Sequence, residues 1–153
     1  MAVAPELMHA TCVALDGHAA LLVGPPGAGK SDLALRLISS PVLQAGSCRT
    51  LELVADDQVL IGIHDQQLIV EPPQSIAGRL EVRGVGILHV PHVRRAVARL
   101  VVDLTPGQLI ERLPDLGERR MVAGRDLPLM RIDAFAASAP VKVALRLLQL
   151  APG

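Results

Sequence analysis

Three features of the sequence predict an α/β fold with a mixed, strand-rich sheet and few helices. The first is the octapeptide Gly24-Pro25-Pro26-Gly27-Ala28-Gly29-Lys30-Ser31, which fits the phosphate-binding P-loop pattern G-x-x-x-x-G-K-[ST]. The second is its setting. The apolar run Ala19-Ala20-Leu21-Leu22-Val23 leads in as a buried strand, and residues 32–38 lead out as a helix with Leu33, Ala34, Leu37 and Ile38 on one face. The third is the number of short apolar runs bounded by turn residues, set against few helical stripes.

The loop dictates its own chemistry. Gly27 and Gly29 let the backbone curl and turn its N–H groups to phosphate oxygens with no side chain in the way. The start of the helix adds its positive dipole end. Lys30 is placed to reach the β- and γ-phosphates and Ser31 to ligate Mg²⁺. The predicted nucleotide site is therefore Gly24 to Ser31 together with Asp32, which opens the helix, and the predicted cofactors are ATP and Mg²⁺.

Composition narrows the function further. The chain has 153 residues, half of them hydrophobic, enough for one domain with a real core. Its formal charge is zero, which argues against a nucleic-acid or membrane-surface partner held by bulk electrostatics. Phe135 is the sole aromatic, which argues strongly against a base-stacking platform for single-stranded nucleic acid. An adenine ring is expected against aliphatic side chains or an Arg. Cys12 and Cys48 form no metal-spacing motif and read as buried thiols in a reducing cytosol. No apolar run approaches membrane-spanning length, and residues 1–7 do not read as a signal peptide, so a cytoplasmic location is expected.

In chain order, residues 8–15 read as a strand and Asp16-Gly17 as a hairpin turn into the P-loop strand. Ser39-Ser40-Pro41 stops the helix, and the segment to Thr50 reads as irregular. Residues 51–55 form a strand ending in Asp56-Asp57. Residues 59–63 and 68–70 form a hairpin around His64-Asp65-Gln66-Gln67. Leu80-Glu81-Val82 is a short strand entering Arg83-Gly84-Val85-Gly86, and residues 87–90 are a further apolar piece. Residues 94–100 read as a short helix with Arg94, Arg95 and Arg99 on a solvated face, followed by a strand over 101–104. Residues 111–126 read mainly as loop and 127–132 as a strand. Residues 139–150 read as a helix with the stripe Val141, Ala144, Leu145 and Leu148.

A P-loop needs an acid to order Mg²⁺, and phosphoryl transfer also uses a carboxylate to orient the nucleophile. Asp56 and Asp57 end a strand downstream of the loop, and as neighbours they point to opposite sides of the chain. They suit two roles, one toward the nucleophile and one toward metal or an Arg.

Five stretches occur in order: His9-Ala10-Thr11, the turn Asp16-Gly17, the P-loop, Leu53-Val54-Ala55-Asp56-Asp57, and Leu80-Glu81-Val82-Arg83-Gly84-Val85-Gly86-Ile87. Together they resemble the catalytic domain of the HPr kinase/phosphorylase family, whose signature Leu-Glu-x-Arg-Gly-x-Gly-Ile is met by residues 80–87. The resemblance is close over residues 8–104 and vague beyond. It implies a bacterial, ATP-dependent kinase acting on a serine of an HPr-like phosphocarrier, with phosphorolysis by inorganic phosphate in reverse. It also implies roles: Asp56 as general base, Asp57 toward the metal, His9 beside the acid/base, Glu81 with Mg²⁺ and Arg83 near the phosphates. Lys30 joins the catalytic set, and Ser31, Asp57 and Glu81 form the metal set.

The chain departs from the family pattern in several places. Ala10 stands where a Gly usually follows the histidine. With His9 so near the start, a single catalytic domain over residues 1–153 is expected, with the family's N-terminal domain absent and its C-terminal helices, used for HPr and a hexamer, truncated. Homo-oligomerisation stays open. The family's late Gly-Arg-Asn element is missing, with Gly124-Arg125-Asp126 and Lys142 as alternative substitutes. Two other functions remain: a non-catalytic nucleotide-binding regulator and a small-molecule P-loop kinase.

Overall fold

The computed structural model describes residues 4–44 and 47–152. Residues 1–3 of the N-terminal reading, residues 45 and 46 of the segment read as irregular, and Gly153 lie outside them. The strands are β1 (Glu6–His9), β2 (Thr11–Leu15), β3 (His18–Val23), β4 (Val42–Gln44), β5 (Ser47–Arg49), β6 (Glu52–Ala55), β7 (Gln58–His64), β8 (Gln67–Glu71), β9 (Arg79–Val82), β10 (Gly86–His89), β11 (Ala96–Leu104), β12 (Arg119–Val122) and β13 (Arg125–Ile132). The helices are α1 (Lys30–Ser39) and α2 (Ala139–Leu150).

Nine strands form one mixed sheet, ordered β1-β7-β8-β11-β3-β2-β6, with β13 beside the second half of β11 and β12 beside β13. β3, β11 and β13 are mutually parallel. Their carboxyl ends therefore share one edge, from which the loops leading to both helices depart. The remaining neighbours are antiparallel, with β2–β3, β7–β8 and β12–β13 as hairpins. Asp16 and Gly17 both take positive φ (51° and 82°), the two-residue turn whose twist matches the flanking strands.

β2 and the apolar part of β3 are buried on both faces, which is why they read as continuous apolar runs rather than alternations. Ala20 and Leu22 face α1 and α2 with Leu33, Leu37, Val143 and Leu147. Ala19, Leu21 and Val23 face a second core made with Val59, Ile61, Leu68 and Val70 of the β7–β8 hairpin. Helices cover one face of the central strands and the curled sheet covers the other.

Five sequence expectations are corrected. Residues 96–100 are strand, not helix: Ala96, Ala98 and Leu100 are buried in alternation and extend β11, while Arg99 donates through Nε to His18 Nδ1 at 3.2 Å. Residues 111–126 are not mainly loop, because β12 and β13 form a hairpin turning at Ala123 and Gly124. β12 is largely exposed, so no apolar run announces it. The segment after Pro41 holds the pair β4–β5. The buried stripe of α2 is Ala139, Pro140, Val143, Ala144 and Leu147, whereas Val141 and Leu145 are 51% and 45% exposed. A helix apolar nearly all round offers several stripes, and tertiary packing selects the one with small residues. Cys12 is buried, and burial pushes its thiol pKa up, but Cys48 is exposed.

Candidate active site

The P-loop leaves the carboxyl end of β3 and closes in two steps. Pro25 to Ala28 is a β-turn in which the Ala28 N–H donates to the Pro25 carbonyl at 3.0 Å. Pro26 sits at its second position and Gly27, at φ 83°, at its third, as a type II turn demands. Gly29 then caps α1 in the left-handed region, at φ 98°. A β-carbon on Gly24 would lie 3.0 Å from Ala28 Cβ and begin to fill the loop. Among the described residues, no protein acceptor meets the N–H groups of Gly27 and Gly29. The loop is thus a small cradle with free donors at a helix start, a donor set that fits phosphate. Lys30 folds back over it, donating from Nζ to the carbonyls of Gly24 (2.7 Å) and Pro25 (3.1 Å).

Asp56 reaches this cradle through a bulge. Cys12 pairs with Ala55 and Val13 with Leu53, so Val54 is the extra residue that re-aims the end of β6. The Asp56 carboxylate is buried and accepts three hydrogen bonds. Ser31 Oγ donates to Oδ1 at 2.6 Å, Thr11 Oγ1 donates to Oδ1 at 3.1 Å, and the Glu81 N–H donates to Oδ2 at 3.1 Å. The next residue is strained. Asp57 has φ 67° and the Gln58 N–H donates across it to the Asp56 carbonyl at 2.7 Å, the pattern of a γ-turn with positive φ. Such a conformation costs about 1–3 kcal/mol and persists where its surroundings over-determine it. Here the Asp57 N–H donates to Thr11 Oγ1 (3.2 Å) and its carbonyl accepts from the Ala10 N–H (3.1 Å).

Of the predicted residues, Lys30, Ser31, Asp56 and Asp57 converge, and His9 joins them because it pairs with Gln58 across β1 and β7. Asp32 is exposed on the first turn of α1 and pairs with Arg36 at 3.0 Å. Glu81 contributes its backbone to Asp56 while its side chain is exposed. Arg83 occupies the second position of the β9–β10 turn, with Gly84 at φ 83° in the third and the Val85 N–H donating to the Val82 carbonyl at 3.0 Å. Among the described residues Glu81 and Arg83 form no ion pair, and no three His, Cys, Asp or Glu side chains form a ready metal cluster. The hydroxyl predicted to hold metal, Ser31, meets Asp56 rather than Asp57.

The two substitutes for the missing late arginine separate. Arg125 begins β13, which runs parallel to β3, so it stands about 23 Å along the strand from the carboxyl edge. Lys142 lies in the first turn of α2, on the carboxyl-edge side, where it lines a cleft of about 900 Å³ with Asp133, Arg112 and Arg146.

Thr11 is the residue whose importance sequence reasoning missed. It is fully buried, and one hydroxyl serves both aspartates. Thr11→Val keeps the shape but strands the Asp57 N–H and removes a donor from Asp56. We expect a loss of about 1–3 kcal/mol in urea unfolding. A loss below about 0.5 kcal/mol would mean that the hydroxyl is not what holds the Asp pair.

Residues 2–137 match the family described as HPr Serine kinase C-terminal domain. The chain belongs to this family. It is 30% identical over 136 residues to the HPr kinase/phosphorylase of Limosilactobacillus reuteri, covering 82% of this chain and 40% of that protein. It is 32% identical over 151 residues to that of Lacticaseibacillus casei, covering 92% and 42%. With Clostridium beijerinckii the shared stretch is 88 residues at 42% identity, covering 57% and 26%. The chain thus spans less than half the length of these relatives. The solved structure of the HPr(Ser) kinase/phosphatase from Coxiella burnetii superposes with a TM-score of 0.76 at 22% identity, covering 94% of this chain and 88% of that one, which shows a shared fold. Membership in this enzyme family reaches past residue 104, where the sequence resemblance becomes vague.

Proposed function

We propose that this domain transfers the γ-phosphoryl group of ATP to a serine hydroxyl of an HPr-like phosphocarrier. The observation that carries the reading is the convergence of the P-loop lysine and serine with a buried aspartate and a strained second aspartate at the carboxyl edge of the sheet. Family membership supports it. Gly24 to Ser31 and Asp32 would hold the triphosphate. Ser31 with Asp57 and Glu81 would hold Mg²⁺, which would supply charge neutralisation on the phosphates. Lys30 would exchange its two carbonyl partners for phosphate oxygens. Asp56 would take the serine proton, and in phosphorolysis return it. Its bonds from Thr11 and from the Glu81 N–H keep the carboxylate oriented while Ser31 turns away. His9 and Arg83 would flank the acceptor and the phosphates. A serine hydroxyl is a weak nucleophile, so in-line positioning and charge neutralisation carry most of the rate.

One observation favours a second assignment within the same reaction. Because the Ser31 hydroxyl already donates to Asp56, Asp56 would share the metal side, and the exposed Asp57 would meet the acceptor. Titration with Mg²⁺ separates the two. With Asp56 as base, Asp56→Asn leaves the Mg²⁺ requirement of nucleotide binding unchanged; with Asp56 on the metal side, the requirement rises.

Calorimetric titration with Mg-ATP tests the parent reading. Saturable binding that Lys30→Ala weakens at least tenfold is expected from loss of a charge-assisted contact. Absence of binding to the wild type would remove the proposal.

A further inference from the structure

The geometry points to Phe135 as the residue that receives the nucleobase, an inference that rests on the P-loop holding a nucleotide. Phe135 is the chain's one aromatic residue, and the residue is 69% exposed. The ring is not adrift. A β-carbon at Gly29 would lie 3.2 Å from Phe135 Cε1 and 3.3 Å from Cζ, so the ring edge rests against the last P-loop residue before Lys30.

The turn that carries it is held on both sides. Arg36 of α1 donates from Nη2 to the Ala134 carbonyl and from Nη1 to the Ala136 carbonyl at 3.3 Å. Asp133 Oδ1 accepts the Phe135 N–H at 3.0 Å, and the Asp133 carbonyl accepts the Ala136 N–H at 3.1 Å. Arg36 also donates from Nε to Asp32 at 3.0 Å, so one guanidinium ties the first turn of α1 to residues 134–136.

Topology explains why this turn meets a ligand. It follows the carboxyl end of β13, two strands along the parallel edge from the P-loop at the end of β3. Ligands of open α/β sheets bind in the crevice outside those ends. With phosphates in the cradle, the rest of a nucleotide would leave past the start of α1, beside the exposed Phe135, whose ring edge rests against Gly29. A purine ring stacked on it would cover the exposed face. On this inference adenine would stack on Phe135 rather than lie on aliphatic side chains or an Arg.

Mg-ATP and Mg-tripolyphosphate, which carries the phosphates without a base, separate the possible outcomes when titrated into the wild type, Phe135→Ala and Phe135→Trp. The expected result is that Phe135→Ala weakens ATP about tenfold and leaves tripolyphosphate within about twofold. Phe135→Trp, the only tryptophan in the chain, keeps ATP affinity and changes fluorescence with ATP but not with tripolyphosphate. Equal losses for both ligands would mean that the ring only supports Gly29, and would overturn the inference. So would unchanged ATP binding accompanied by poorer use of the carrier protein, which would make Phe135 a partner contact. If the wild type binds tripolyphosphate and ATP equally, the base subsite fails while the P-loop reading stands. If it binds neither, both fall.

Discussion

Lys30→Ala lowers phosphoryl transfer by a factor on the order of 10²–10³ and leaves the fold intact. The magnitude is that of removing one preorganised donor from the place where transition-state charge develops. The fold survives because, among the described residues, Lys30 Nζ bonds only to the Gly24 and Pro25 carbonyls, and neither residue is buried. Those carbonyls regain water when the ammonium leaves. Unfolding in urea should therefore show a midpoint close to that of the wild type, while the transfer rate collapses. A parallel loss of both would mean that Lys30 is a structural strut of the loop.

Asp56→Asn behaves differently, because it strikes chemistry and fold together. Loss of a general base lowers the rate about 10²–10⁴-fold. The carboxylate also accepts on both oxygens from three donors. An amide offers one acceptor, so either the Glu81 N–H or the pair of hydroxyls must face an NH₂ group. Leaving a buried donor unsatisfied costs about 1–3 kcal/mol. The variant is expected to fold with a lower urea midpoint and to transfer almost nothing. Asp57→Asn, with its exposed side chain, should keep the midpoint. Full activity in Asp56→Asn would remove it from the mechanism under either assignment of the Asp pair.

These contrasts also show what local sequence carries. The P-loop, its strand and α1 were legible because each constraint is local: a type II turn needs Pro26 and Gly27 side by side, and α1 needs one apolar face. The Asp16-Gly17 turn was legible for the same reason. β11 was misread at its start because Arg94, Arg95 and Arg99 suggested a helical face, whereas the burial of Ala96, Ala98 and Leu100 depends on strands distant in sequence, β3 and β8. The active buried stripe of α2 could not be chosen among apolar faces without its neighbours. Within the site, residue types and order announced Lys30, Ser31 and the Asp pair. Thr11 and Phe135 acquire meaning only through contacts 45 and 106 residues away, with Asp56 and Gly29 respectively, since a lone buried threonine or a single phenylalanine has no signature. Gly124-Arg125-Asp126 resembles the family's late Gly-Arg-Asn element in residue order alone, and the direction of β13 places Arg125 at the opposite edge.

The most direct test is transfer of label from γ-labelled Mg-ATP to a purified HPr-like phosphocarrier from the same source. The expected result is acid-stable label on a carrier serine with the wild type, none with Asp56→Asn or Lys30→Ala, and release of the label on adding inorganic phosphate. A wild type that binds Mg-ATP yet leaves every carrier serine unlabelled would contradict it and make the domain a nucleotide-binding regulator.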